Sequence, residues 1–185
     1  MDRGRIELII GCMFSGKSTE LIRKIRKYQV LKKKILVINH SLDNRYGKHN
    51  IITHNKQENE CVSTNNLLSL LDTTYYKESY IIVIEEAQFF KDLYAFTTYA
   101  ADNDNKTVIV AGLDGDFKRQ KFGDILSLIP HAESVTKLHA LCLKCNDGTK
   151  AYFTKRINKD NTSQTYVGTH EDYVAVCRYH FNQED

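Results

Sequence analysis

The feature that most constrains this chain is the segment 11–18, which matches the phosphate-loop pattern G-x-x-x-x-G-K-[ST]. A short apolar run of strand type, residues 6–10, precedes it, and a helix-forming stretch follows at once. In this context the loop N–H groups are expected to surround the β- and γ-phosphates of a nucleotide at the positive end of the helix. Lys17 supplies a mobile cation, and Ser18 supplies a hydroxyl ligand for Mg²⁺. The predicted nucleotide contacts in the loop are Gly11, Cys12, Met13, Phe14, Ser15, Gly16, Lys17 and Ser18.

Two glycines fit this interpretation. A Cβ atom at Gly11 or Gly16 would obstruct the turn or the close approach of a phosphate. The alternative is a chance glycine-rich turn, but the order strand, loop and helix favours the phosphate loop.

Length and composition indicate an ordinary globular protein. A chain of 185 residues, 42% of them apolar, can bury one full core and carry a small appendage. No apolar run approaches the ~20 residues that cross a bilayer, and the N-terminus is charged where a signal peptide is apolar. We therefore expect a cytoplasmic protein without a membrane partner, or one made in the cytoplasm of a host cell.

The charge distribution gives little support to a nucleic-acid partner. The formal net charge is only +3, although residues 23–34 contain seven lysines and arginines and no acid. We interpret this stretch as the solvated face of the first helix and its exit turn. A surface for phosphates or polyanions is the less favoured interpretation.

Three cysteines and a histidine form a predicted zinc site. The C-x₂-C and C-x₂-H pairs make a tetrahedral Cys₃His set of the structural kind, because four protein ligands leave no open position for catalysis. The 31 residues between the pairs require an elongated β-hairpin or loop that leaves the site and returns. Coincidental pairs are the alternative. Of the other cysteines, Cys61 is expected to be a small buried residue and Cys12 lies inside the phosphate loop. The ligands are Cys142, Cys145, Cys177 and His180.

A second acidic motif follows a buried strand. Four β-branched residues, 81–84, end in Glu85 and Glu86, as in the second motif of phosphate-loop enzymes. One carboxylate can hold Mg²⁺ through its water shell, and the other can accept a proton from an attacking hydroxyl. An exposed strand end capped by acids is the alternative.

The remaining pattern predicts an α/β fold. Strands at 6–10, 35–38, 81–84, 106–111 and 135–141 alternate with helices at 19–31, 67–71, 92–101 and 125–129. This alternation indicates a mostly parallel sheet with helices on both faces. The β-leaning tail contains runs at 151–154 and 165–168, and we expect a loop at 39–55. The predicted domains are a nucleotide-binding core, 1–140, and a small zinc-containing β lobe, 141–185.

Taken together, the motifs closely resemble those of the type II thymidine kinases, the cellular, bacterial and poxvirus-like enzymes. The resemblance runs from about residue 4 to residue 181. It rests on G-x-M-F-S-G-K-S-T-E-L, D-N-R-Y, E-A-Q-F-F, L-D-G-x-F and C-x₂-C with C-R-x-H. It implies a RecA-like core and a zinc lobe with a lasso loop. It also implies transfer of the γ-phosphoryl group of ATP to the 5′-hydroxyl of thymidine, or of deoxyuridine, giving dTMP in pyrimidine salvage for DNA synthesis.

The same resemblance implies roles for individual residues. Glu86 would be the general base, while Lys17, Arg45 and Mg²⁺ would offset the charge on the transferred group. Asp43 would hold Arg45 or the waters of the metal. Further nucleotide contacts would be Asn44, Glu85 and Gln88. Residues around the nucleoside would be Met13, Gln88, Phe89, Leu113, Phe117, Phe122 and Tyr173, with Phe117 stacking on the base. The lasso would bind the base through backbone groups of Gln164, Thr165, Tyr166, Val167 and Gly168, with Thr154 nearby.

Three positions depart from the family pattern. Cys12 stands where proline is common, which is expected to loosen the phosphate loop or to expose a thiol. Glu85 replaces the usual aspartate, and one extra methylene should still reach a metal-bound water. Thr169 replaces the second glycine of the lasso. Homotetramers and feedback inhibition by thymidine triphosphate are common in the family and are expected here on that ground alone.

Two other classes of protein stay open at this point. One is a zinc-ribbon nucleic-acid-binding protein with an ATPase core, which the basic first helix favours. The other is a GTP switch, but residues 55–58 only approximate the guanine-reading N-K-x-D motif and come too early in the chain.

Overall fold

The centre of the computed structural model is a parallel β-sheet. The structure describes residues 4–42, 60–158, 163–164 and 171–183. In this part of the chain the sheet strands are β1 Arg5–Gly11, β2 Ile35–His40, β3 Glu60–Thr64, β4 Ile81–Ile84, β5 Thr107–Gly112 and β6 Ser134–Leu138. Their order is β3-β2-β4-β5-β1-β6, and every neighbouring pair runs parallel. The predicted α/β class is confirmed.

Helices cover both faces of the sheet. Within the described residues the α-helices are α1 Lys17–Gln29, α2 Thr74–Glu78, α3 Leu93–Asp102 and α4 Arg178–Asn182. Successive residues of a strand point to opposite faces. Accordingly Leu8 packs in the apolar cluster that contains Phe96 of α3, whereas Ile9 packs in the cluster that contains Leu21 and Ile25 of α1. Both faces of β1 are therefore buried, as parallel sheets require.

The first helix ends two residues earlier than predicted. It stops at Gln29, and the chain leaves in a turn in which Lys32 has a left-handed backbone with φ of 53°. This turn carries Val30 away from the apolar stripe, and its exposed fraction is 79%. Arg23, Arg26 and Lys27 are exposed, which fits a solvated basic face.

The strand order places the predicted chemistry at one edge of the sheet. The phosphate loop follows β1, the acidic pair Glu85 and Glu86 follows β4, and Leu113 follows β5, which lies between the other two strands. Because the carboxyl ends of parallel strands share an edge, the two motifs reach the same side of the molecule.

Several short elements were not predicted. The edge strand β3 carries a mixed polar sequence without clear alternation, and its Cys61 is half-buried where full burial was expected. The helices α2 and α4 span only five residues each, too few for a helical apolar pattern. The predicted strand 135–141 is interrupted at His139, so that β6 is followed by a separate strand, β7 Ala140–Leu141.

Beyond β7 the described residues form a small lobe. The strand β7 pairs with β8 Lys150–Ala151, and β9 Phe153–Arg156 pairs with β10 Tyr173–Val176, both in antiparallel fashion. The pair β9–β10 supplies the predicted excursion between the two halves of the zinc set. Its apolar cluster also takes in Cys12 of the phosphate loop. The domain boundary at residue 140 stays a prediction.

Some predicted features lie outside the described residues. These are the segment 43–59, with Asp43, Asn44, Arg45 and the imperfect guanine motif, and the segment 165–170, with Thr165, Tyr166, Val167, Gly168 and Thr169. In the part of the chain that is described, no helix has both the length and the apolar character needed to cross a bilayer.

Candidate active site and metal centre

The two phosphate-loop glycines are required for different reasons. Gly16 precedes α1 with φ of 83°, a left-handed conformation that costs glycine little, while nothing lies within 4 Å of a Cβ there. At Gly11 a Cβ would lie 2.6 Å from the carbonyl oxygen of Leu138 and 2.9 Å from Ser15 Oγ. Gly11 is therefore needed for the turn, through Ser15, which is one of the two predicted reasons, and also for packing against β6, which was not predicted. Phe14 is exposed and also left-handed, with φ of 63°.

Lys17 holds the loop closed. Its Nζ donates a hydrogen bond of 2.7 Å to the carbonyl oxygen of Cys12, across the turn. Burial lowers the pKa of Lys17, and the nearby charges of Glu86 and Asp114 oppose that shift. Lys17 is thus a partly desolvated cation with acids around it, a state that favours an incoming anion.

Ser18 and Glu85 meet although they come from different elements. The Ser18 hydroxyl, in the first turn of α1, donates a short hydrogen bond to the carboxylate that follows β4. Two adjacent hard oxygen donors are the groups that Mg²⁺ prefers. The donor set therefore fits the cation that the sequence predicted, including the glutamate in place of aspartate.

Glu86 has an unusual backbone conformation. Its φ of 51° and ψ of 41° are left-handed, which is uncommon for a residue other than glycine or asparagine. Such residues cost of order 1–3 kcal/mol and persist only where the surroundings impose them. Here the left-handed conformation of Glu86 turns the chain from β4 into a 3-10 helix, Ala87–Phe89. The side chain of Glu86 is half-buried at the edge of the sheet.

The side chain of Gln88 connects Glu86 to β5. Its Nε2 donates to the Glu86 carboxylate at 2.5 Å, and its Oε1 accepts from the backbone N–H of Leu113 at 3.0 Å. The exposed fraction of Gln88 is only 3%. Both polar ends of the amide are therefore occupied within the protein, and one of them fixes the carboxylate of Glu86.

Two glycines make room for Gln88. A Cβ at Gly112 would lie 2.7 Å from Gln88 Oε1, and a Cβ at Gly123 would lie 2.3 Å from the carbonyl oxygen of Gln88. Gly123 also has a left-handed φ of 63°. Gly112, directly before the L-D-G-x-F motif, and Gly123 thus leave space for the glutamine of the E-A-Q-F-F motif.

Aromatic rings line the same edge of the sheet. Phe89 and Phe122 meet edge to face, with ring centroids 5.5 Å apart. His40, at the end of β2, packs against Phe89 at 5.6 Å and accepts a hydrogen bond from the N–H of Leu42 through Nδ1. Burial lowers the pKa of His40, opposed by the charges of Asp92 and Glu86. His40 was not predicted, because an isolated histidine carries no motif.

A second group of aromatics lies where the core meets the lobe. The guanidinium of Arg156 lies over the ring of Phe117, 3.7 Å from its centroid, and also contacts Tyr173. Gln164 Nε2 donates to the carboxylate of the buried Asp116 at 2.8 Å. Neither Arg156 nor Asp116 was predicted, although Asp116 is the variable position of the L-D-G-x-F motif, in the glycine-rich turn that follows β5.

The phosphate loop and the lobe are in direct contact. The Cys12 thiol donates to the carbonyl oxygen of Ala151 at 3.4 Å, and the N–H of Met13 donates to Thr154 Oγ1 at 3.0 Å. Cys12 is 2% exposed, and burial raises the pKa of its thiol. The expectation of an exposed thiol at position 12 is therefore wrong. An open cleft of about 140 Å³ lies beside this contact, lined by Cys12, Asp114, Gly115, Asp116, Arg119, Lys137, Tyr152, Phe153 and Thr154.

The four predicted zinc ligands come together. His180 Nδ1 lies 3.6, 3.3 and 3.5 Å from the sulfur atoms of Cys142, Cys145 and Cys177. The sulfurs of Cys145 and Cys177 are 3.8 Å apart. A tetrahedral site with ordinary Zn–S and Zn–N bonds has N–S edges of about 3.5 Å and S–S edges of about 3.8 Å. The cluster therefore fits zinc in both donor type and spacing.

Local structure holds both pairs of ligands. Asn146, left-handed with φ of 53°, donates to the carbonyl oxygen of Cys142 at 3.0 Å and closes the first turn. Cys177 precedes α4, and His180 lies within it. The Lys155 ammonium from β9 donates to the carbonyl oxygen of His180 at 3.2 Å. The lobe thus presents all four ligand atoms within 4.8 Å of one another.

Comparison with known proteins agrees with these features. The family model described as "Thymidine kinase" matches residues 4–181. A vaccinia virus (strain Western Reserve) protein named "Thymidine kinase" is 44% identical over 178 residues, covering 96% of this chain and 97% of the relative. A rice protein of the same name is 42% identical over 182 residues, covering 96% of this chain and 66% of the relative. "Thymidine kinase a" of Arabidopsis thaliana is 43% identical over 183 residues, covering 96% and 75%.

Proposed function

This chain belongs to the thymidine kinase family, and from that premise we propose that it transfers the γ-phosphoryl group of ATP to the 5′-hydroxyl of thymidine. The product would be dTMP, for DNA synthesis through pyrimidine salvage, and deoxyuridine would be an alternative acceptor. One observation supports the proposal above the others: the phosphate loop and Glu86 reach the same edge of one sheet, with only β5 between their strands.

The phosphate half of the site comprises the loop 11–18 and Glu85. Loop N–H groups and Lys17 would hold the β- and γ-phosphates, while Ser18 and Glu85 would hold Mg²⁺. That ion would neutralise charge on the transferred group when it is bound. Arg45 would add a further cation, and Asp43 and Asn44 would support it. Phosphoryl transfer depends mainly on positioning and electrostatics, so a preformed cradle is the main requirement.

Glu86 is proposed as the general base. Its carboxylate would accept the 5′-hydroxyl proton as the oxygen attacks phosphorus. The amide of Gln88 orients that carboxylate, and the N–H of Leu113 orients the amide. We therefore propose that Gln88 positions the carboxylate of Glu86. Phe89, Leu113 and Phe122 remain proposed contacts of the nucleoside.

The nucleoside half of the site comprises Phe117, Thr154, Gln164 and Tyr173, together with the lasso residues 165–168. The backbone groups of the lasso would bind the edge of the pyrimidine, and the small size of the nucleoside site would exclude purines. Met13 would link this half to the phosphate loop through its hydrogen bond to Thr154. Zinc held by the Cys₃His cluster would be structural, since four protein ligands fill a tetrahedron.

Family membership also motivates proposals about partners and location. We propose a homotetramer that thymidine triphosphate inhibits by feedback, without nucleic-acid or membrane partners. The cytoplasm is the proposed location, or the host cytoplasm if the gene is viral.

A nucleoside panel tests the activity. Purified protein is incubated with Mg-ATP and one nucleoside at a time, and the products are separated and scored for monophosphate. We expect product with thymidine and deoxyuridine and none with purine nucleosides. Lys17→Met should abolish product, whereas Lys27→Met, an exposed position on the same helix, should not change it. ATP turnover that requires added DNA or RNA would instead support the nucleic-acid-dependent ATPase.

A further inference from the structure

Arg156 touches three separate segments of the nucleoside half. It ends β9, and its guanidinium lies 3.7 Å from the centroid of the Phe117 ring, in the glycine-rich turn of the core. Its Nη2 donates to the carbonyl oxygen of Ser163, directly before the predicted lasso residues 164–168, at 2.7 Å. The same nitrogen donates a short hydrogen bond to the hydroxyl of Tyr173, directly across the β9–β10 ladder. One side chain thus joins core, lobe and lasso.

The contact with Phe117 gives that ring a fixed orientation. A guanidinium over an aromatic face is attracted by the ring quadrupole, and its planar fork can donate in other directions at the same time. Arg156 covers the ring at 3.7 Å, whereas the ammonium of Lys118 lies farther away, 5.4 Å from the same centroid. The orientation of Phe117 therefore depends on Arg156 as well as on its own turn.

A second contact ties the lasso to the same turn. Gln164 Nε2 donates to Asp116 Oδ2 at 2.8 Å and to the carbonyl oxygen of Lys121 at 3.3 Å. Asp116 is 8% exposed, and its other oxygen accepts from the N–H groups of Lys118 and Gln120, each at 2.8 Å. Residues 163 and 164 are thus held on both sides, by Arg156 from the lobe and by Asp116 from the core.

We propose that Arg156 is a positioning residue for the nucleoside, which sets the orientation of Phe117 and the starting point of the lasso without contacting the phosphates. This inference rests on the proposed thymidine kinase activity. It predicts that loss of Arg156 weakens thymidine binding selectively. Thermal unfolding of the ligand-free variants separates this role from general stabilisation of the lobe, because a residue that only stabilised the lobe would lower the unfolding temperature together with thymidine affinity.

Steady-state kinetics with each substrate varied separately test this proposal. Arg156→Met should raise KM for thymidine about tenfold or more and leave KM for ATP within about twofold. Arg156→Lys keeps a cation near Phe117 but cannot supply the planar fork, so it should restore only part of the loss. The control is Arg26→Met, because Arg26 is an exposed arginine of α1 that takes no part in either half of the site. That variant should keep both KM values.

The possible outcomes distinguish failure of the proposed kinase activity from failure of the proposed role of Arg156. Wild-type protein that fails to phosphorylate thymidine would overturn the proposed function. Active wild-type protein with unchanged thymidine KM in Arg156→Met, or with equal changes in both KM values, would overturn the role of Arg156 alone. If Arg156→Met does not fold, Arg156→Lys is used instead. The change in its KM for thymidine is then compared with the change in its KM for ATP. Thermal unfolding of each variant with thymidine alone provides an independent measure of nucleoside binding.

Discussion

The phosphate half follows strands that are buried on both faces, whereas the nucleoside half consists of residues on short strands and turns. The loop 11–18 follows β1, whose Leu8 and Ile9 are fully buried on opposite faces of the sheet. The nucleoside half instead relies on cation–π contacts, single hydrogen bonds and a four-ligand cluster. The difference teaches that the proposed triphosphate site is supported by the core itself. The proposed nucleoside site depends on a few individual contacts and on the cluster that would hold zinc.

The largest expected effect concerns the chemistry in the core. Glu86→Gln keeps the shape of the side chain but removes the proton acceptor, so kcat should fall about 10²-fold or more. Binding of thymidine and ATP, measured by calorimetry, should change little because neither half is dismantled. An unchanged kcat would remove Glu86 from its proposed role and leave Glu85 as the candidate base.

Removal of zinc should break the nucleoside half and spare the phosphate half. Without a metal ion, the four ligands Cys142, Cys145, Cys177 and His180 no longer hold the two ends of the β9–β10 excursion together. We expect thymidine affinity to fall about tenfold or more after chelation, while ATP affinity stays within about twofold. Calorimetric titration of both ligands before and after chelation measures the difference. Equal losses would contradict the division between the two halves.

Gln88→Met should lower kcat without changing substrate affinity. Methionine has a similar length, but it can neither donate to Glu86 nor accept from the N–H of Leu113. Without the hydrogen bond that orients the carboxylate of Glu86, we expect kcat to fall about tenfold. The unpaired N–H of Leu113 should also lower the free energy of unfolding by about 1–3 kcal/mol. The readout is kcat beside the two KM values. A selective rise in thymidine KM would instead make Gln88 a nucleoside contact.

The smallest effect concerns pH and the core. Because burial lowers the pKa of His40 below its ordinary value of 6.5, the unfolded chain takes up that proton at higher pH than the folded chain. The free energy of unfolding should therefore fall as pH drops below about 6.5, by at most about 1.4 kcal/mol per pH unit. His40→Gln should reduce this slope in urea titrations at pH 7 and pH 5.5. An identical slope in the variant would show that other groups cause it.

Local motifs allowed the phosphate half to be predicted from sequence. Three motifs have a fixed spacing that can be recognised without knowledge of the fold. These are the loop 11–18, the pair Glu85 and Glu86, and the zinc ligands. The structure then brought Ser18 to Glu85 and gathered the four ligands, as the motifs require. Their catalytic and binding roles remain proposals.

Residues that act across the fold could not be found in this way. Arg156 and Phe117 are far apart in sequence, and Asp116 meets Gln164 only because the lobe folds back onto the core. The packing role of Gly11 against Leu138 likewise depends on the pairing of β1 with β6. Edge strand β3 and helix α4 were missed because five residues carry too little periodicity.

The contact between Cys12 and Ala151 has an evolutionary consequence. Both residues are buried in one apolar cluster, so the phosphate loop and the small lobe share part of their packing. A residue of different size or polarity at position 12 would change this shared packing, because the Cys12 thiol donates to the carbonyl oxygen of Ala151 at 3.4 Å. Across a lineage, we expect these two sites to accept substitutions in matched pairs, and a graft of either region from a relative should succeed only when both are exchanged.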